Sequence, residues 1–131
     1  MIGIVLVAHY GLADALLEAA AFINGRIQGI KGISVGNIEI SDLREKIAQA
    51  VREVDQGEGV LILTDMFGGT PSNLSFSFLQ DGKVEVVTGV NLPMVLSVIN
   101  KRNESDLETL ACYAKEKGLS SIIRASEVLR E

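Results

Sequence analysis

The stretch Met1-Ile-Gly-Ile-Val-Leu-Val-Ala-His9 decides the fold. Ile2 to Val7 is a short apolar run rich in β-branched residues, the composition of a strand covered on both faces. The run ends at His9, the only histidine of the chain. From Leu12 the period changes: Leu12, Leu16, Ala20 and Ile23 recur at three- and four-residue steps, with Ala13 and Leu17 beside them. That pattern is a helix burying one face. The lone histidine therefore stands on the turn between a buried strand and the following helix. In an open α/β sheet this carboxyl end of the strands is where ligands and chemistry collect.

Working outward, the 131 residues suit one domain, read here as residues 1–131. Apolar residues make up 47 %, in runs of strand length, so no membrane span is expected. The first residues lack a basic region and a small-residue cleavage site, so no signal peptide is expected. Cys112 is the only cysteine and cannot form an internal disulfide, which fits a reducing cytoplasm. It falls on the apolar side of a predicted helix, where burial would leave it inert. A formal charge of −5 argues against general nucleic-acid binding, which needs a basic footprint.

Along the chain, Asn24-Gly25 reads as a helix stop, and Ile33 to Ile38 as a weaker strand. Ser41 or Asp42 can cap a helix with the stripe Leu43, Ile47, Val51 and Val54. Val60-Leu-Ile-Leu63 is the clearest central strand, and Thr70-Pro71 reads as an N-cap followed by proline at the first position of a helix running from Pro71 to about Gln80. Val84 to Thr88 is a further strand, and Gly89-Val-Asn-Leu-Pro93 opens a helix through Val98 and Ile99. Ser105-Asp-Leu-Glu108 has the capping-box pattern, with the helix stopping at Gly118. Ile122-Ile123-Arg124 reads as a last short strand.

Strands and helices alternate, which predicts an α/β fold with a mainly parallel open sheet and helices on both faces. The simplest order for four strands is flavodoxin-like, 2-1-3-4, with strands 1 and 3 adjacent at the switch point. His9 ends strand 1 and Asp65 follows strand 3. The topology thus predicts that the imidazole and a carboxylate share one crevice.

Alone, Asp65 would be an ordinary solvated turn residue. Beside His9, a carboxylate accepting Nδ1–H fixes the tautomer and leaves the Nε2 lone pair free. It also offsets positive charge that develops on a modified ring. Gly68-Gly69-Thr70-Pro71 is turn chemistry with a helix start; its glycines also let backbone N–H groups approach an anion, with hydroxyls from Thr70 and Ser72. Asn91 serves equally as a helix cap or as part of the site rim. Leu12, Met66, Phe67, Leu92 and Met94 are core candidates, and any left exposed around His9 would form a docking collar. Gly-x-x-x-x-Gly-Lys-Ser/Thr, Gly-x-Gly-x-x-Gly and Gly-x-Ser-x-Gly are all missing. One His and one Cys do not make a standard zinc site, so no metal or cofactor is expected. A histidine nucleophile, an orienting aspartate and an anion-binding helix start suit phosphoryl capture on nitrogen, which depends on positioning and charge stabilisation. With no carboxylate cluster for magnesium, the expected donor is a phosphoprotein rather than ATP.

Ile4 to His9, Leu61 to Asn73 and Gly89-Val-Asn-Leu-Pro-Met94 together resemble the enzyme IIA domain of the mannose family of bacterial sugar phosphotransferase systems. The resemblance covers essentially the whole chain. It implies that His9 accepts a phosphoryl group from the phosphocarrier HPr at Nε2, with Asp65 as its Nδ1 partner, and passes it to an enzyme IIB protein. It implies a cytoplasmic homodimer of flavodoxin-like subunits, with a short C-terminal antiparallel strand matching Ile122 to Ala125 exchanged between them. The membrane would be met only through the transporter subunits. Many relatives have glycine after the histidine, where this chain has Tyr10, which with Phe67 and Asn91 would rim the site. The chain also carries no IIB domain, so it reads as a free-standing IIA. Competing readings are a regulatory module that senses phosphorylation state, a phosphotransfer subunit of the dihydroxyacetone-kinase type, and a plain anion-binding domain.

Overall fold

The structure is a computed structural model that describes residues 1–129. In chain order it runs β1 (Gly3–His9), α1 (Leu12–Asn24), β2 (Ile30–Val35), α2 (Ile40–Val54), β3 (Val60–Thr64), α3 (Thr70–Phe76), β4 (Val84–Thr88), α4 (Leu92–Lys101), a 3-10 turn (Arg102–Glu104), α5 (Leu107–Ser120) and α6 (Ala125–Leu129). The four strands form one sheet in the order β2-β1-β3-β4, and every pair is parallel. The flavodoxin-like order expected from the alternation is the one observed.

Sheet periodicity divides the core. Ile4, Leu6, Ala8, Leu61 and Leu63 face α1, α4 and α5, while Val5, Val7, Val60 and Ile62 face α2 and α3. Both faces of β1 and β3 are covered, which is why they read as unbroken apolar runs rather than alternating ones. Truncating a leucine such as Leu63 to alanine in such a core costs about 2–5 kcal/mol. Gly3 is required by close packing: a Cβ there would lie 2.4 Å from the Val54 carbonyl oxygen at the end of α2. At the opposite end from His9, the buried Arg102 guanidinium donates to the carbonyls of Gln28 and Gly29, tying down the α1–β2 connection. Burial without a carboxylate lowers its pKa.

Several boundaries differ from the sequence reading. The second strand is Ile30–Val35, ahead of the expected Ile33–Ile38, because pairing with β1 (Ile4 with Ile30, His9 with Val35) sets its limits. Helix α2 begins after Glu39 with no side-chain cap, and α3 ends at Phe76 rather than near Gln80. Gly69, not Thr70, is the N-cap of α3. For α5 the cap is Asp106, whose carboxylate accepts from Thr109 N–H, and the helix continues past Gly118 to Ser120. Cys112 is exposed, a correction: α5 turns its buried face, Leu107, Leu110, Ala111, Ala114 and Gly118, to the sheet, and Cys112 lies off it. Ile122 to Arg124 form no strand within the single chain; they are exposed and lead into α6, which buries none of its residues.

Candidate functional site

Register brings the site residues together. Val7 pairs with Thr64, so the next residues along β1 and β3 carry His9 and Asp65 to the same edge of the sheet. Asp65 Oδ2 accepts two hydrogen bonds from His9, one from the backbone N–H at 3.0 Å and one from Nδ1 at 2.8 Å. Burial raises the Asp65 pKa, but the His9 backbone N–H, the ring hydrogen bond and the attraction of a charged ring outweigh it, and the net shift is downward. The carboxylate is therefore ionised at neutral pH and can only accept, which assigns the proton to Nδ1 and the lone pair of the neutral ring to Nε2. The His9 side chain is 44 % exposed while that of Asp65 is 11 % exposed. One partner meets solvent and the other stands behind it.

Helix α3 starts against the other side of the ring. A Cβ placed on Gly69 would lie 3.1 Å from His9 Cε1 and 3.6 Å from Nε2, so only glycine lets the backbone come this close without displacing the imidazole. Gly68 has φ +92°, the left-handed conformation that makes the turn from β3. Ser72 is used differently from expectation. Its hydroxyl is fully buried, accepts from Gly68 N–H at 3.0 Å and donates to the Gly69 carbonyl at 3.0 Å. It builds the loop instead of facing an anion. Thr70 lines the hollow beside His9.

The rim is apolar. Tyr10, Leu12, Met66 and Phe67 are exposed, whereas Met94 is buried. Phe67 leans on Phe76 with ring centroids 5.8 Å apart. Asn91 spends its side chain on the scaffold: Oδ1 accepts from Met94 N–H, and Nδ2 donates to the Gly118 carbonyl and Ser121 Oγ. That pins the start of α4 to the end of α5. A hollow of about 330 Å³ lies between His9, Tyr10, Thr70 and the β2–α2 connection at Ile38 and Ile40. Sequence reasoning missed that wall, since the only available signal was that the connection leaves the carboxyl end of a strand neighbouring β1. The larger hollow, about 540 Å³ beside Asp81, Glu85 and Glu108, lies at the amino end of β4, away from His9. Among the described residues, no cluster of three or more His, Cys, Asp or Glu side chains could hold a metal, and no helix is long and apolar enough to cross a membrane.

The family model described as PTS system fructose IIA component, EIIA-man, matches residues 3–114. The chain belongs to this family. Across its whole length it is 32 % identical to the PTS system fructose-specific EIIA component of Bacillus subtilis (strain 168), covering 91 % of that protein. It is 30 % identical to the PTS system mannose-specific EIIAB component of Escherichia coli (strain K12); that match takes in 92 % of this chain and 38 % of the longer protein. The crystal structure of phosphotransferase system component EIIA from Streptococcus agalactiae superposes with a TM-score of 0.88 at 27 % identity, over 97 % of this chain and 99 % of that one. A mannose-family IIA component thus carries His9 and Asp65 in this arrangement.

Proposed function

We propose that this protein is a phosphoryl carrier of a sugar phosphotransferase system, taking phosphate from phospho-HPr on His9 and handing it to a IIB protein. The observation that carries this reading is the 2.8 Å contact between His9 Nδ1 and Asp65 Oδ2. It occupies Nδ1 and leaves Nε2 as the ring nitrogen free to act as a nucleophile, without a general base. In the first step the Nε2 lone pair attacks phosphorus in line, the phosphorus–nitrogen bond of the donor breaks, and the donor imidazole keeps the electron pair. His9 becomes a phosphorylated, cationic ring whose charge lies against the Asp65 carboxylate. Backbone N–H groups at the start of α3, together with the Thr70 hydroxyl, are suited to the phosphoryl oxygens. The second step is the same displacement with the IIB nucleophile as acceptor. Neither step needs a metal or cofactor, and a cytoplasmic setting suits both partners.

Homodimer formation belongs to the same reading. Ile122, Ile123, Val128 and Leu129 are exposed in the single chain, and β4 is an open sheet edge, so a second copy is the natural cover for both. Sedimentation should give a dimer, and Ile122→Asp with Ile123→Asp should dissociate it; a monomer at micromolar concentration refutes the pairing.

The function is tested by incubating the protein with phosphoenolpyruvate, enzyme I and HPr. The expected product is an acid-labile, base-stable phosphate on Nε2 of His9, lost in His9→Ala. No incorporation, or label that survives His9→Ala, refutes the proposal.

A further inference from the structure

We infer that Tyr10 selects the phosphocarrier that docks on His9, its ring forming one side of a hollow that receives an apolar side chain flanking the donor's phosphohistidine. This rests on the phosphoryl-carrier reading and adds to it the residue that recognises the donor.

The first observation is backbone strain in an unexpected place. Tyr10 has φ +49°, the only non-glycine residue with positive φ among those described. Its N–H still donates to the Val35 carbonyl at 3.1 Å, extending the β1–β2 ladder before the chain turns into α1. That turn needs a left-handed residue at position 10, which glycine supplies without steric cost and a large side chain does not. The adjacent glycine is not used for this purpose: Gly11 has φ −84°, and a Cβ there would meet nothing within 4 Å. The turn therefore does not account for a tyrosine at position 10.

Packing does not account for it either. Tyr10 is 78 % exposed, and its phenol hydroxyl bonds no described residue. Strain retained at an exposed position beside a reactive group points to function rather than stability.

Position supplies the role. Tyr10, Ile38, Ile40 and Leu43 give apolar walls to the hollow of about 330 Å³, which His9, Asn37 and Thr70 also line. In-line transfer requires the donor phosphorus to come within roughly 3–3.5 Å of Nε2. A protein presenting that phosphorus must lay the surface around its own phosphohistidine over Tyr10 and the exposed Ile40. Exposed aromatics in such a place are the side chains that most often dominate an interface. Their contact is equally present in the encounter complex and at the transition state, so it acts on KM and leaves kcat alone.

The test measures phosphoryl uptake from phospho-HPr by the unsubstituted protein, Tyr10→Gly and Tyr10→Phe, with an NMR titration of each by unphosphorylated HPr. Tyr10→Gly should raise KM and Kd about tenfold, with kcat unchanged and a thermal midpoint no lower than that of the unsubstituted protein. Tyr10→Phe should behave like the unsubstituted protein, because the ring and not the hydroxyl makes the contact. Unchanged KM in Tyr10→Gly, a fall in kcat at steady KM, or equal losses in the two variants overturns the inference while leaving the carrier function standing. An unsubstituted protein that gains no phosphate and binds no HPr overturns both.

Discussion

A single carboxylate oxygen, Asp65 Oδ2, holds both the main chain and the ring of His9, at 3.0 Å from the backbone nitrogen and 2.8 Å from Nδ1. The two bonds fix different things. The first secures the end of β1 against the loop after β3, and the second sets the rotation and tautomer of the imidazole. Asp65 thereby acts on geometry and on charge at once.

Asp65→Asn separates these two roles. An amide oxygen can still accept from His9, so the fold should survive, but the charge that offsets a phosphorylated ring is gone. Rapid-quench measurement of phosphoryl uptake should show a loss of about 10–100-fold, the scale on which removing the partner behind a metal-bound histidine acts. A rate equal to that of the unsubstituted protein would deny Asp65 any electrostatic part.

Acid should weaken the same contact. The Asp65 pKa is lowered from its ordinary 3.8, so the folded state holds its proton less tightly than the unfolded chain. The sign follows: this stabilisation is fully present above the ordinary value and is lost as pH falls through the lowered one. Urea denaturation should therefore show a stability gap between the unsubstituted protein and Asp65→Asn that is present at neutral pH and closes below the ordinary aspartate range. A gap that stays the same from neutral pH to well below that range would contradict the downward shift.

Gly69→Ala should disturb the ring from its other side. The added methyl would lie 3.1 Å from His9 Cε1, closer than ordinary contact, so the imidazole or the start of α3 must give way. Displacements of this size slow group transfer on the order of tenfold, without unfolding the domain. Uptake kinetics alongside a thermal melt would check this, and unchanged kinetics would show that the ring has slack.

Asn91→Ala tests the scaffold role of a residue that sequence alone leaves between cap and rim. It removes the α4 cap and the ties to Gly118 and Ser121. Chemical denaturation should register a loss of about 1–2 kcal/mol. Phosphoryl uptake should stay at the unsubstituted rate; a slower uptake at full stability would return Asn91 to the site.

Much of this was legible in the chain. Unbroken apolar runs at Ile2–Ala8 and Val60–Leu63, separated by helix-period stripes, suffice for a doubly covered parallel sheet, because burial on both faces erases alternation. Strand order then places His9 and Asp65 at one edge. Exact ends were less legible: β2 starts at Ile30 because β1 offers pairing partners there, a fact about another strand.

The sequence by itself determined the sheet, its order and the meeting of its one imidazole with Asp65, since local periodicity reports which faces are buried and topology follows from few choices. Only the tertiary structure decided that one oxygen clamps the backbone nitrogen and Nδ1 of His9, that Gly69 touches the ring, that Ser72 and Asn91 turn inward, and that Tyr10 bears the strained turn beside Ile38 and Ile40. Those outcomes depend on the direction of each side chain and on neighbours far away in sequence, which packing sets and local pattern does not encode.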